Sequence, residues 1–160
     1  MKILTFGEIM LRLKTPEHLR IVQADGFEAS YGGAESNVAV SLATLGDDAA
    51  FLTKLPKNPV GDAAFNELRR YGVDTSRILR GGARLGIYFF EKGSDIRPTS
   101  VLYDRAGSAL AEADADDFNW EALLSGIDIF FFSGVTPAIS PSVEQAVFGA
   151  LKYCHSHGIT

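Results

Sequence analysis

Cysteine is almost absent: Cys154 is the single one in 160 residues, so no disulfide framework can hold the chain together. No apolar run approaches the ~20 residues needed to span a bilayer. The opening segment, Met1 to Glu8, lacks the long apolar stretch and small-residue cleavage site of a secretory signal. These absences point to a cytoplasmic address and away from the membrane. Basic surplus is missing too: 15 Lys and Arg stand against 20 Asp and Glu, for a net charge of −5, which argues against nucleic acid as a partner. Metal-ligand spacing is lacking. Cys154 and His157 lie three apart, but two ligands do not make a site, and a histidine in a last helical turn commonly meets the carbonyl end of its helix. The acidic cluster Glu112, Asp114, Asp116 and Asp117 has no glycine where a calcium loop requires one, and reads as a solvated turn near a helix start. The sequence contains no G-x-G-x-x-G, no Walker-type Gly-Lys-Ser/Thr and no Gly-Ala-Gly-Asp. What survives is a function directed at a small molecule.

Hydrophobic residues make up 46% of the chain and charged residues 22%, the balance of an ordinary globular domain, and the length suits one domain. Strand-like and helix-like patterns alternate, which predicts an α/β layer architecture. Ile3–Phe6, Ala49–Leu55 and Ile127–Phe132 read as buried strands. Ser36–Leu45, Asp62–Tyr71, Asn119–Leu124 and Ser142–His157 read as helices, with Gly46, Gly72 and Gly158 as stops and Pro141 suited to a first turn. Two segments break the alternation. Arg20–Tyr31 reads as two short strands about an Asp25-Gly26 turn, and Leu85–Glu91 with Thr99–Asp104 as a second pair joined by a polar loop. Such inserted strands predict a small sheet that projects from the main domain and packs over a ligand, a partner chain, or both.

The stretch Tyr31-Gly32-Gly33-Ala34-Glu35-Ser36-Asn37 carries the chemistry. Two glycines before a helix allow a ligand to approach the backbone, and an asparagine side chain both donates and accepts hydrogen bonds, as vicinal hydroxyls require. Taken alone, the same stretch is equally a tight strand-to-helix turn in which Ser36 or Glu35 serves the helix start.

Gly-Gly followed by Asn and an apolar helix ending in Leu-Gly resembles the first signature of the ribokinase-like, PfkB-type carbohydrate kinases. Gly7-Glu8 after the first strand, the Gly61 region and Tyr-Gly-Val-Asp-Thr-Ser at Tyr71–Ser76 agree with it. Gly86-Ile87-Tyr88-Phe89 and Val101–Ser108 are similar to the substrate-contacting strands of the 2-keto-3-deoxygluconate kinases of that family. Glu35, where many relatives carry a small residue, and Leu55-Pro56, in place of a common Val-Gly, depart from the general signature and fit this branch. The resemblance implies a ribokinase-like three-layer α/β/α core, here its N-terminal part, with a projecting β-sheet lid built from about residues 9–31 and 85–104. It implies substrate binding by Gly32, Gly33, Asn37, Tyr88, Tyr103 and Arg105, with Glu8 and Met10 bordering the sugar and no metal ligand in this chain. ATP and Mg²⁺ are implied for the parent enzyme, with the nucleotide-binding half and the catalytic base expected beyond Thr160. Assembly into a homo-oligomer through the lid strands is expected as well.

The chemistry of the implied residues is consistent with an acidic sugar. A planar guanidinium binds a carboxylate through two parallel hydrogen bonds, and phenol hydroxyls meet keto and hydroxyl oxygens while their rings exclude water. Kinases of a neutral sugar (fructose, ribose) or of a nucleoside share the fold, and a non-catalytic sugar-acid binding module or a purely structural domain would share much of the pattern.

Overall fold

A computed structural model describes all 160 residues. Strand β1 (Lys2–Phe6) is apolar beyond its first residue apart from Thr5, as a strand covered on both faces must be. It pairs in parallel with β4 (Asp48–Leu52) on one side and β9 (Ile129–Phe131) on the other, giving the order β4-β1-β9. Side-chain alternation then divides the core. Leu4, Phe6, Ala50, Leu52 and Phe130 pack with Val143, Ala146, Val147 and Ala150 of α4 (Pro141–His157) and with the short α3 (Trp120–Leu123). Phe51 goes to the opposite face, toward Ala39 of α1 (Ala34–Leu45) and Ala64 and Leu68 of α2 (Pro59–Arg70). The result is a three-layer α/β/α arrangement. Thr5 is the one polar side chain of β1 in this core, and its hydroxyl donates to the Glu35 carbonyl oxygen at 3.0 Å.

The helix punctuation follows the sequence signals. Gly46 ends α1 at φ 93° and Gly158 ends α4 at φ 69°, left-handed positions that favour glycine. Helix α2 starts at Pro59 rather than at Asp62, because Asn58 accepts the Gly61 N–H as a cap and proline suits the first turn. The expected strand Ala49–Leu55 divides at Thr53. Beyond it, β5 (Lys54–Leu55) leaves the main sheet to pair with β6 (Leu79–Arg80). The acidic cluster forms a 3-10 turn at Ala115–Asp117, and Asp117 pairs with Lys54 at 2.5 Å. His157 stacks on Tyr153 and its ring nitrogen bonds the Tyr153 carbonyl at 2.9 Å, while Cys154 is buried. No helix is long and apolar enough to cross a membrane.

A second sheet projects from the C-terminal edge of this core. Its order is β3 (Glu28–Gly32), β2 (Met10–Lys14), β7 (Ile87–Glu91), β8 (Ser100–Asp104). The pairing β2–β7 is parallel and the two outer pairs are antiparallel. The hairpin expected about Asp25-Gly26 does not form. Arg20–Ala24 is drawn out of any ladder because Gln23 accepts the Arg20 N–H and Glu91 accepts the Ile21 N–H at 2.6 Å, while the Gln23 and Ala24 N–H groups close a 3-10 turn onto the Arg20 and Ile21 carbonyls. Strand β3 pairs instead with Met10–Lys14.

The ring of Phe6 lies 5.2 Å from that of Phe118, 5.7 Å from Trp120 and 6.3 Å from Phe130, joining strand, turn and helix on the α4 face. Phe6→Ala is expected to destabilise the chain by about 3–5 kcal/mol. Urea titration followed by the fluorescence of Trp120 measures it directly.

Candidate functional site

The main sheet and the lid meet where β1 ends. Chain direction sends Gly7, Glu8 and Ile9 from the end of β1 straight into β2, while β3 returns through Gly32 and Gly33 into the start of α1. Gly33 is extended at φ −175°, so its value lies in space rather than in backbone freedom: a Cβ there would run into the Glu8 carbonyl oxygen. At Gly32 a Cβ would stand 3.4 Å from Asn37 Oδ1 and 3.5 Å from the Tyr88 hydroxyl. The glycine pair therefore lets the helix start, the Glu8 segment and the lid converge on one point.

The lid supplies the facing wall. On β2, β7 and β8 the residues Arg12, Tyr88 and Tyr103 are in register, forming a row across three strands with their side chains on the cleft side. The rings of Tyr88 and Tyr103 lie 5.8 Å apart, and the Arg105 guanidinium carbon lies 5.9 Å from the Tyr103 ring. The cleft between wall and floor encloses about 310 Å³, the lower end of the range for small-molecule sites. Of the residues singled out in the sequence, Glu8, Met10, Gly33, Asn37, Tyr88, Tyr103 and Arg105 line it, and Gly32 sits directly behind.

Two buried carboxylates set the shape. Glu8 is 5% exposed; its Oε1 accepts from the Ser108 hydroxyl at 2.5 Å and its Oε2 lies 2.6 Å from Arg105 Nη2. Gly86 leaves the room for that carboxylate, since a Cβ there would come within 2.9 Å of Oε1. Arg105 Nε and Nη2 are buried without an aligned hydrogen bond, so the pair is held by charge and retains unused donors. Glu35 is 1% exposed, and its Oε1 accepts from the Ser133 N–H at 3.0 Å, the Ser133 hydroxyl at 2.5 Å and the Thr136 hydroxyl at 3.0 Å. Glu35 thus ties α1 to the loop after β9, whose Val135 also lines the cleft.

Burial holds the Tyr88 phenol proton above its usual range, Arg12 opposing and Tyr103 reinforcing. The Tyr31 phenol is raised likewise, by burial and by the Glu67 charge. Sequence reasoning missed Arg12 and Phe90, whose ring centroid lies 4.3 Å from the Arg12 guanidinium carbon. Once Met10–Lys14 is seen as a strand, period two places Met10 and Arg12 on one face and would have found the arginine.

The sequence matches the pfkB family of carbohydrate kinases over residues 1–159. It is 40% identical over 159 residues to the 2-dehydro-3-deoxygalactonokinase of Haloferax volcanii, covering 99% of this chain and 50% of that protein. The crystal structure of 2-dehydro-3-deoxygluconokinase from Thermotoga maritima superposes with a TM-score of 0.97 at 54% identity, over 100% of this chain and 49% of that one. A sugar kinase of Pyrococcus horikoshii solved in complex with ATP gives a TM-score of 0.83 at 27% identity, over 95% of this chain and 49% of that one. The chain thus spans about half the length of these relatives. With the α/β/α core, the projecting lid and the Gly-Gly helix start in place, the match over nearly every residue shows that this chain belongs to the pfkB family of carbohydrate kinases.

Proposed function

We propose that this chain is the sugar-binding part of an ATP-dependent kinase acting on 2-keto-3-deoxygluconate or a closely similar keto-deoxy sugar acid. One observation carries the reading: side chains 50 to 70 positions apart in sequence, Asn37 on the helix start and Tyr88, Tyr103 and Arg105 on and beside the lid, open into a single cleft. Asn37 and the backbone at Gly33 offer donors and acceptors for vicinal hydroxyls. The tyrosine pair meets keto and hydroxyl oxygens, and Arg105 offers its unused donors to a carboxylate. Relatives named for 2-dehydro-3-deoxygluconate and 2-dehydro-3-deoxygalactonate kinase activity support the acidic substrate.

ATP with Mg²⁺, when bound, supplies the phosphoryl group and neutralises the charge it develops. This chain's residues do not fit either group: no three His, Cys, Asp or Glu converge on a cation position, and no glycine-rich phosphate loop is present. Its own residues bind and orient the sugar, and the lid excludes water, which protects ATP from hydrolysis in the whole enzyme. The base that accepts the sugar hydroxyl proton and the nucleotide site are assigned to the remainder of the enzyme. We assign pairing with a second copy to the lid, because β8 is an edge strand exposed along its whole length, Leu102 and Tyr103 included.

Calorimetric titration of the chain with 2-keto-3-deoxygluconate is expected to show binding, with fructose as a neutral control showing none. Preference for fructose would replace the acid reading with the neutral-sugar one, and binding of neither would reject a complete sugar site in this chain. Arg105→Ala is expected to weaken acid binding by roughly ten- to a hundredfold, the value of a hydrogen bond to a charged group. The same change strands the Glu8 carboxylate and costs about 3 kcal/mol of stability, which Glu8→Gln in the same chain restores in part; urea titration reads both. Tyr88 and Tyr31 hold their protons more tightly when folded. Their contribution to stability is complete below the unfolded value of about 10 and is lost as pH rises from there through the folded values. Absorbance titration of the phenols is expected to show a late-ionising fraction that shrinks in Tyr88→Phe.

A further inference from the structure

Arg12 is the unmatched cation of the cleft. Arg105 is paired with Glu8 at 2.6 Å, Arg84 just behind β8 with Asp104 at 2.9 Å, and Lys14, two positions along β2, with Glu28 at 2.7 Å. Arg12 has no carboxylate within ion-pair reach and its guanidinium makes no hydrogen bond, although Nε is buried. A buried donor without a partner calls for an explanation, and at the wall of a cleft a ligand group is the one that fits. The side chain is also oriented. Its guanidinium lies over the Phe90 ring at 4.3 Å, and its strand position is in register with Tyr88, which in turn faces Tyr103. Stacking on an aromatic face fixes the guanidinium plane before any ligand arrives, so little rotamer freedom remains to be lost on binding.

We propose that Arg12 is the charge-selecting residue of the cleft: its guanidinium takes the substrate carboxylate together with Arg105 and supplies the net positive charge that Arg105, offset by Glu8, does not. The inference rests on the sugar-acid reading above and adds the residue that makes the cleft prefer an anion. Attraction for a carboxylate scales with net charge, and the Glu8–Arg105 pair presents nearly none at a distance. Arg105 then acts by hydrogen-bond geometry, and Arg12 by charge. Tyr88 lies between them. Arg12 and Tyr88 are register partners on adjacent strands and open into the same cleft, and the Arg12 charge works against the burial that holds the phenol neutral.

The test is calorimetric titration of the whole chain with 2-keto-3-deoxygluconate at low and high salt, for the wild type, Arg12→Gln and Arg105→Gln. Arg12→Gln is expected to weaken binding by roughly ten- to a hundredfold at low salt and to remove most of the salt dependence. Arg105→Gln is expected to weaken binding while the salt dependence stays. Arg12→Met keeps the stem over Phe90 and gives the same readout should the glutamine variant not fold, as circular dichroism will show. Wild-type affinity and salt dependence in both Arg12 variants, with both lost in Arg105→Gln, would make Arg105 the charge reader and overturn the proposal while leaving the sugar-acid reading intact. A wild-type chain that binds fructose in preference to the acid, or binds neither, removes the sugar-acid reading and this proposal with it.

Discussion

The arrangement depends on one buried carboxylate at the start of α1. Glu35 stands at the first turn of α1, almost wholly buried, and collects three hydrogen bonds from Ser133 and Thr136 across the top of the parallel sheet. The one Thr136 hydroxyl proton is shared between Glu35 and the Phe6 carbonyl oxygen, and the Thr5 hydroxyl donates to the Glu35 backbone. One acidic side chain therefore joins the ends of β1 and β9 to the start of the helix that carries Asn37. Each orphaned donor would cost about 1–3 kcal/mol, so the carboxylate holds the loop and the helix in one register. Gly7 belongs to the same device, because any side chain there would overlap the Glu35 carboxylate. A small residue at position 35 would leave this junction to be closed in some other way.

A second buried carboxylate repeats the logic at the lid. Glu8 leaves β1 in the core and reaches Arg105 and Ser108 just after β8, about a hundred residues later. A two-layer assembly of this kind would otherwise be free to hinge, since a four-stranded sheet of five-residue strands has little core of its own. Ile9, Leu85 and the partly buried Leu11 and Tyr31 give apolar contact with the α1–α2 layer, but apolar contact is not directional. The ion pair is. It sets where the guanidinium stands relative to the floor, so that a ligand held by Arg105 as proposed would be coupled to how the lid sits on the domain.

The layered core was legible in the sequence because its signals are local. Ile3–Phe6, the Leu-Gly stop at Gly46 and the Pro141-to-Gly158 helix each state their conformation within a few residues. The lid was half legible. Strands β7 and β8 carry aromatic and β-branched residues, whereas β2 reads Met-Leu-Arg-Leu-Lys, whose long flexible side chains carry no strong strand preference. Asp25-Gly26 offered a turn signal with no strand able to use it on one side. The expected lid range of about 9–31 takes in β2, but no strand pattern marks Met10–Lys14 itself, so Arg12 is not singled out, while Tyr88, Tyr103 and Arg105 are singled out through resemblance to a family motif rather than through spacing. Glu8 and Glu35 are a different case. Their positions were noticed, but a buried acid declares itself only when its partners, at Arg105 and Ser133, are brought together in space.

On the proposed reading, specificity and chemistry are separated. The floor, Gly33 and Asn37, can serve any polyol, because hydroxyl groups ask only for a donor and an acceptor at hydrogen-bond distance. Discrimination has to come from the wall, and the wall is a sheet in which alternate positions on adjacent strands can be exchanged without disturbing the core. Arg12, Tyr88 and Tyr103 occupy one such row. On the proposed reading, replacing the charged member of that row would alter which sugar is held while leaving the Glu35 and Glu8 anchors untouched. A single fold can then serve acidic and neutral sugars alike, provided that the polar groups of each version are satisfied by the ligand it is built for.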